Sequence, residues 1–503
     1  MRIRPLLLLV VLLLAGCRID GTASPAPQGW AFVSEEPCAA ATGAGDFSCV
    51  TLSVPVDHAD PGGEHWDVTF GLLRAEGERQ GVFVTATGGP GSSGLAAADA
   101  YTAGFPDAVR QGFDVVFFDQ RGIGLSQELR CDEAYYDYFV PVDAASTAAE
   151  RDEFAAASTQ FGEDCFAEAG VDPATAPRYA TAQAVEDLED FRQWLGAPKL
   201  TLYGESYGTQ YVQTYAGAHP DRVAGLVLDG VVDLTTDQPE FAVQAAKAYS
   251  GVLAATFARC DADPVCADAA PGDSAAGYDT LLEQLAAAPV TPPGGDPVDD
   301  LTLRAAAGSA VGDPYGREDF SAALDDALNG DFGALDELGN GGSGGGPDPG
   351  FSDALFYAVE CQDYNFVPQG GDPRAVLDEW LDVSAQQGID QLRLGSTYYG
   401  DLDCLFWPGS TTTADVARPA PVTDPPYPVM VLNADTDPNT PFVGAQDVFR
   451  DLTPGAGPAD AAIVQLYGPH VVYGRGDPCI DDPVNTFIET GQVPAQRVTV
   501  CRW

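Results

Sequence analysis

The chain has little positive charge: 24 Lys and Arg stand against 75 Asp and Glu in 503 residues, a formal net charge of −51. Such a surface repels nucleic acid and anionic membrane faces, so no nucleic-acid partner is expected. Most of the excess reads as a solvated acidic surface, with attraction of cationic ligands as its other consequence. Histidine is scarce as well. With four of them and no Cys-x-x-Cys, a metal centre is not expected. The glycines that follow the early strands read as oxyanion and turn glycines, not as a dinucleotide fingerprint, so no cofactor is implied. Internal repeats are lacking, and only the first residues carry a long apolar run.

That run belongs to a targeting segment. Arg2 and Arg4 precede Leu6 to Leu14, which is too short to span a bilayer as a permanent helix. Leu14-Ala15-Gly16-Cys17 then reads as a lipobox, with residues 1–17 as signal peptide and lipobox and Cys17 as the acylated residue. Dual acylation would hold an exported protein at the cell surface without a transmembrane helix. An ordinary secretory signal with an incidental cysteine is the alternative, and the protein would then be secreted. Ten cysteines remain: Cys38, Cys49, Cys131, Cys165, Cys260, Cys266, Cys361, Cys404, Cys479 and Cys501. An even number in an exported chain reads as five disulfides. Pairing of neighbours, such as Cys38 with Cys49 and Cys260 with Cys266, is the simplest scheme, and sequence leaves the connectivity open.

The length calls for a large domain plus an insertion or a second domain. Residues 18–29, rich in small residues, Pro and Gly, read as a tether. Strand-like runs follow at Ser48 to Val56, His65 to Leu73, Gly81 to Thr87, Phe113 to Phe118, Leu200 to Tyr203 and Val223 to Asp229. A helix, Thr181 to Leu195, stands before the fifth of these. From about residue 235 to 420, Ala-rich amphipathic stretches take over: Phe241 to Phe257, Gly277 to Ala287 and Asp319 to Leu328. A Gly-rich run, Gly339 to Gly346, reads as a flexible loop among them. Strands resume at Tyr427 to Leu432 and Ala461 to Leu466. Strands alternating with helices predict an α/β protein, a mostly parallel sheet wrapped on both faces. The expected division is a sheet core over 30–234 and 421–503, with 235–420 as an inserted, mainly helical cap.

The chemistry centres on Leu200-Thr-Leu-Tyr-Gly204-Glu205-Ser206-Tyr207-Gly208, followed by Gln210 to Ala218, which can be helical. Strand, Gly-x-Ser-x-Gly, helix is the layout of a nucleophile elbow. The tight turn strains the serine, and the flanking glycines relieve clashes. Ser206 needs a base and the base needs an orienting acid. His470 follows a buried strand, in the turn Tyr467-Gly-Pro-His470, at a carboxyl-side edge where such sites form. His58 and His65 lie in the N-terminal strands, and His219, in Ala-His-Pro, suits a helix end. The acid is expected from Asn433-Ala-Asp435-Thr-Asp437-Pro-Asn-Thr-Pro441, with Asp437 chosen for its rigid Asp-Pro-x-Thr-Pro turn. Asp435 and Asp229 are the alternatives. Ser206, Asp437, His470 is the chain order of an α/β-hydrolase. The Gly89 and Tyr207 N–H groups are the expected oxyanion donors.

Thr87-Gly-Gly-Pro-Gly91, Asp119-Gln-Arg-Gly-x-Gly-x-Ser126, Gly204-Glu-Ser-Tyr-Gly-Thr209 and Asp437-Pro-x-Thr-Pro441 together resemble the secreted tripeptidyl aminopeptidases, serine exopeptidases of the prolyl-aminopeptidase type. The C-terminal stretch from His470 through Tyr473-Gly474 to Cys479 and Cys501 resembles that family's end as well. The resemblance spans nearly all of the mature chain. It implies an α/β-hydrolase with a helical cap that cleaves short residue groups from free peptide N-termini. Carried over, Ser206 is nucleophile, Asp437 acid and His470 base. One departure is Thr87, where related enzymes often have His; that histidine lies outside the triad, so the difference bears on substrate preference.

The expected function is an exported, membrane-anchored serine aminopeptidase acting on peptides, as a monomer. An esterase of the same fold and a solute-binding lipoprotein without activity are the competing readings. An exopeptidase must hold the substrate ammonium with a carboxylate in a partly closed pocket; Glu205, Glu360 and Asp363 are the candidates. Arg121 is expected to anchor its own loop through a buried ion pair. Arg475-Gly-Asp477 spells an adhesion tripeptide that chance explains.

Overall fold

The computed structural model describes residues 29–503 apart from 40–41, 139–146, 265, 267–272, 342–347, 365, 369, 409–421 and 453–459. The targeting segment with Cys17, almost all of the tether and most of the Gly-rich run lie outside the described residues.

Short runs of Val, Leu and Phe bounded by turn residues build the strands β1 (Ala31–Pro37), β2 (Ser48–Pro55), β3 (His65–Leu73), β4 (Gly81–Ala86) and β5 (Phe113–Phe118). The chain continues with β6 (Leu200–Glu205), β7 (Val223–Asp229), β8 (Val429–Ala434), β9 (Asp460–Leu466) and β10 (Val498–Arg502). They form one sheet in the order β1-β2-β3-β5-β4-β6-β7-β8-β9-β10. The pairs β1–β2, β2–β3 and β3–β5 are antiparallel, and every pair from β5–β4 to β9–β10 is parallel. Strands β5, β6 and β8 are buried along their whole length, as central parallel strands covered on both faces must be. One buried cluster packs Val84, Leu202 and Leu228 against Leu188, Phe191 and Tyr215 of the flanking helices. The other face packs Phe83, Tyr203, Val227 and Leu432.

Two strands fall outside the runs read from sequence. β1 is almost wholly exposed and carries no apolar alternation, while β10 joins the far edge by pairing in parallel with β9. β6 reaches two residues further than its apolar run, through Gly204 and Glu205, because both pair with β7 at Leu228 and Asp229.

Between β7 and β8 the chain forms a helical layer, beginning with Gln238–Ala262 and including Ser274–Ala287, Asp300–Ala310, Pro314–Leu328, Asp353–Asp363 and Pro373–Gln387. Leu253, Phe257, Tyr278 and Phe320 close one buried cluster of this layer. A second cluster joins Tyr357, Trp380 and Trp407 to Phe154, Phe161 and Phe166. Those three phenylalanines lie on the helix Ala148–Ala169, between β5 and β6, inside the stretch assigned from sequence to the sheet core. The Phe161 ring lies 5.1 Å from Tyr357 and 5.6 Å from Trp407. The covering layer is therefore built from two insertions. The cysteines pair in chain order: Cys38–Cys49, Cys131–Cys165, Cys260–Cys266, Cys361–Cys404 and Cys479–Cys501. No helix among the described residues is long and apolar enough to cross a membrane.

Candidate active site

β6 delivers its chain into a turn that no ordinary residue adopts easily. Ser206 has φ 53° and ψ −126°, and the helix Tyr207–Ala218 starts at the next residue. The flanking glycines are sterically required: a Cβ on Gly204 would lie 2.3 Å from the Gly208 carbonyl oxygen, and one on Gly208 would lie 2.0 Å from that of Ala86. The Ser206 N–H donates to the Asp229 carbonyl at 2.9 Å, which ties the elbow to β7.

The segment after β4 runs beside the elbow. A Cβ on Gly88 would come within 3.0 Å of the Ser206 Cβ and 3.5 Å of its Oγ. Gly89 has φ 107°, and the Gly89–Pro90 peptide is cis. Asp119 steadies this segment: its carboxylate accepts from Ser93 Oγ at 2.6 Å, Leu95 N–H at 3.2 Å and Leu125 N–H at 2.9 Å. Burial still pushes that carboxyl up. Arg121, fully buried, pairs with Asp187 at 2.8 and 2.5 Å and donates to the carbonyls of Pro55, Val56 and Arg178. It anchors its own loop.

His470 follows β9. Its Nδ1 lies 2.9 Å from both oxygens of Asp437, which comes from the loop after β8. Asp437 is buried and also accepts from the N–H groups of Asn439 and Thr440 at 3.0 Å each and from Thr440 Oγ1 at 2.8 Å. Burial lowers the His470 pKa, but the charge and hydrogen bond of Asp437, with the charges of Asp229 and Glu205, outweigh it and hold the imidazole above its usual value. With Nδ1 engaged by a carboxylate, Nε2 is the ring nitrogen left to accept a proton. Asp435 is spent elsewhere, accepting the Tyr467 N–H at 2.6 Å. Asp229 accepts the N–H groups of Val472 and Tyr473 and the Tyr203 hydroxyl, and burial pushes it up to about 7.

Ser206, His470, Gly88, Gly89 and Tyr207 all line one cavity of about 1070 Å³ between the sheet edge and the helical layer. Glu205 and Glu360 line it too. Glu205 accepts from the Tyr101 hydroxyl at 2.5 Å, and burial raises its carboxyl. Asp363 is not among the lining residues. It lies buried beneath, accepting from Thr181 N–H and Oγ1 and from Gln210 Nε2, and Thr181 Oγ1 in turn meets the Tyr207 hydroxyl. This corrects its sequence-based assignment to ammonium binding: its oxygens are used up in support of the elbow. Asp401, Asp481 and Arg475, which sequence reasoning did not single out for the cavity, complete the charged lining. Asp477 caps the helix Pro478–Thr490, so the Arg-Gly-Asp spelling is a cavity wall running into a helix start. His58 meets Asp187 and His219 meets Glu186, and neither lines the cavity.

Strand order, elbow and the cavity under a helical layer define a serine hydrolase of the α/β-hydrolase fold. Residues 81–271 match the α/β-hydrolase fold family and residues 393–501 the TAP-like protein family, so the chain is an enzyme of that fold with a TAP-like C-terminal part. It is 28% identical over 489 residues to the serine protease Hip1 of Mycobacterium tuberculosis, covering 90% of this chain and 86% of that one. It is 27% identical over 485 residues to the tripeptidyl aminopeptidase of Streptomyces lividans, covering 90% and 83%. Carboxylesterase B of Mycobacterium tuberculosis is 28% identical over 476 residues, covering 89% and 85%.

Proposed function

We propose that the chain is a serine peptidase that hydrolyses peptides from their free N-terminus through an acyl-enzyme on Ser206. The observation that carries this reading is the presence of Glu205 and Glu360 in the same capped cavity as Ser206 and His470. A carboxylate there can take a substrate ammonium, and the helical layer limits how much chain fits beyond it. The names of the Hip1 and Streptomyces relatives agree with peptide substrates.

In this mechanism Ser206 Oγ attacks the scissile carbonyl carbon while its proton passes to His470 Nε2. Asp437 keeps the ring in the tautomer that carries hydrogen on Nδ1 and stabilises the imidazolium. The N–H groups of Gly89 and Tyr207 receive the developing oxyanion. His470 then returns the proton to the leaving amine as the C–N bond breaks. Water attacks the ester, giving its proton to His470, which passes it to Ser206 Oγ as the acyl–oxygen bond breaks; the acyl part leaves as its acid and Ser206 is restored.

The same reading places the protein outside the cell, anchored by lipid at Cys17 and acting as a monomer; five disulfides and the N-terminal apolar run support export.

The test uses mature protein and Ser206→Ala with a chromogenic tripeptide carrying a free amine, its N-acetylated form and a short-chain ester. Turnover of the free peptide alone, abolished by Ser206→Ala, is the expected result. Equal turnover of the blocked peptide would make the enzyme an endopeptidase, and ester turnover alone would make it an esterase like the carboxylesterase B relative.

A further inference from the structure

Arg317 is a buried arginine without a carboxylate partner among the described residues. It is 1% exposed and sits on the helix Pro314–Leu328 of the helical layer. All five of its N–H groups are spent on neutral oxygens. Nε donates to the Val311 carbonyl at 2.8 Å, within its own segment. The two terminal nitrogens reach the sheet domain: one donates to Thr436 Oγ1 and the Tyr467 carbonyl at 3.3 Å each, the other to the carbonyls of Thr436 and Gly468 at 3.0 Å each. The guanidinium also lies over the Tyr467 ring, 4.8 Å from its centroid.

Thr436 precedes Asp437, and Tyr467 and Gly468 lead to His470. One planar group from the cap thus grips both the loop that carries the acid and the loop that carries the base. Two further bonds tighten the junction: Thr436 Oγ1 donates to the Gly468 carbonyl at 2.9 Å, and the His470 N–H donates to the Gly312 carbonyl of the cap at 2.7 Å. The grip falls where backbone needs it. Tyr467 and Val471, on either side of His470, have φ 60° and 64°, a region that side chains with a Cβ rarely occupy and a β-branched one least of all. Such a conformation persists only where its surroundings over-determine it.

Desolvating a cation is costly, and a well-packed apolar side chain fills space more cheaply. Burial does depress the Arg317 pKa, against the favourable influence of Tyr467, Asp313 and Asp437. What arginine alone supplies is a rigid fork with five donors in fixed directions, here each matched to an oxygen.

We propose that Arg317 is a positioning residue for the Asp437–His470 pair, and that through it the seating of the cap sets the geometry of the acid and base. The inference rests on the roles given to those two residues above.

The experiment measures the rate at which a fluorophosphonate labels Ser206, per active site titrated, as a function of pH. Arg317→Met, Arg317→Lys and Thr436→Val are compared with the unaltered protein, with folding followed by thermal melting. Displacement of a catalytic pair by about 1 Å costs about 10²-fold. Arg317→Met should therefore label about 10²-fold more slowly and Thr436→Val less severely, with Arg317→Lys recovering part of the loss. In Arg317→Lys and Thr436→Val, which keep the charge beside the pair, the lower limb of the pH profile should shift downward as His470 loses its hold on Asp437; Asp229, Glu205 and Arg475, the other charges around it, are untouched. A merely structural arginine would lower the titratable fraction while leaving the rate per site and its pH profile intact, and that result would overturn the proposal. If Arg317→Met does not fold, Thr436→Val decides in the same way. Absence of labelling in the unaltered protein would instead overturn the reading of the site itself.

Discussion

The carboxylate of Asp229 accepts the backbone N–H of Val472 with both oxygens, at 3.0 and 3.1 Å. The same residue's carbonyl accepts the Ser206 N–H, so Asp229 holds the elbow with its main chain and the loop beyond His470 with its side chain. Asp229→Asn should lower kcat, by about tenfold for a displacement smaller than 1 Å, with KM little changed. It also carries a stability signature. The carboxyl is raised from 3.8 to about 7 in the folded protein, so the folded state binds its proton more tightly than the unfolded chain. Its contribution to stability therefore falls as pH rises from about 4 to about 7 and is level outside that window. Melting temperatures of Asp229→Asn should lack this slope, measured by calorimetry across that range.

His470 is held above its usual pKa of 6.5 chiefly by Asp437, against burial. A base must be neutral to act, so kcat/KM should rise with pH to a midpoint above 6.5. Asp437→Asn should move that midpoint down and depress the plateau by about 10⁴-fold, the scale on which a mispositioned tautomer acts. For stability the sign is the same as that of Asp229, since both groups hold their proton more tightly in the folded protein. The pair's contribution is complete below the unfolded value and is lost as pH rises through the folded one. A pH–rate profile of the two proteins checks the first statement and pH-dependent melting the second.

Glu360 and Asp363 sit three residues apart on one cap helix yet belong to different tasks. Glu360 lines the cavity, whereas Asp363 is committed to Thr181 and Gln210 beneath it. A charge-assisted bond is worth about 1.5–3 kcal/mol, so Glu360→Gln should raise KM for a free-amine peptide about 10- to 100-fold and leave an ester substrate unaffected. Asp363→Asn should lower the melting temperature, with a cost of about 1–3 kcal/mol for the unsatisfied buried partners, and change KM little. Steady-state kinetics on both variants separates the roles.

Cys361 lies next to Glu360, and its bond to Cys404 closes a loop with a sequence separation of 43. Chain-entropy reasoning gives about 4 kcal/mol for a loop of that size. The Cys361→Ser, Cys404→Ser double variant should lose about that much stability in denaturant titration, with the loss felt first in the turnover of free-amine peptides.

The sheet was legible from sequence because buried parallel strands write themselves as uninterrupted apolar runs. Phe113–Phe118 and Val223–Asp229 have the ends that their composition suggests. β1 was not legible: exposed on nearly every residue, it has no alternation to read, and only its pairing with β2 makes it a strand. The helix Ala148–Ala169 was missed for a related reason, since its buried phenylalanines face a second part of the chain more than 180 residues further on. At the site, the Gly-x-Ser-x-Gly turn announces itself because sterics allow few alternatives at Gly204 and Gly208. Arg317 announces nothing. Its partners are carbonyls and one threonine hydroxyl, and main-chain oxygens leave no trace in a sequence. Asp401 and Asp481 were hidden for want of any motif around them, and only the enclosing walls bring them to the cavity.

The loop bearing His470 rests on Gly312 and Arg317 of the cap, on Asp229 of β7, and on a C-terminal segment closed by Cys479–Cys501. During synthesis these parts emerge in the order elbow, cap, acid, base. A chain that ends before residue 470 carries the serine, but nothing to take its proton. On the reading proposed here, hydrolytic power therefore depends on the last part of the chain to be made.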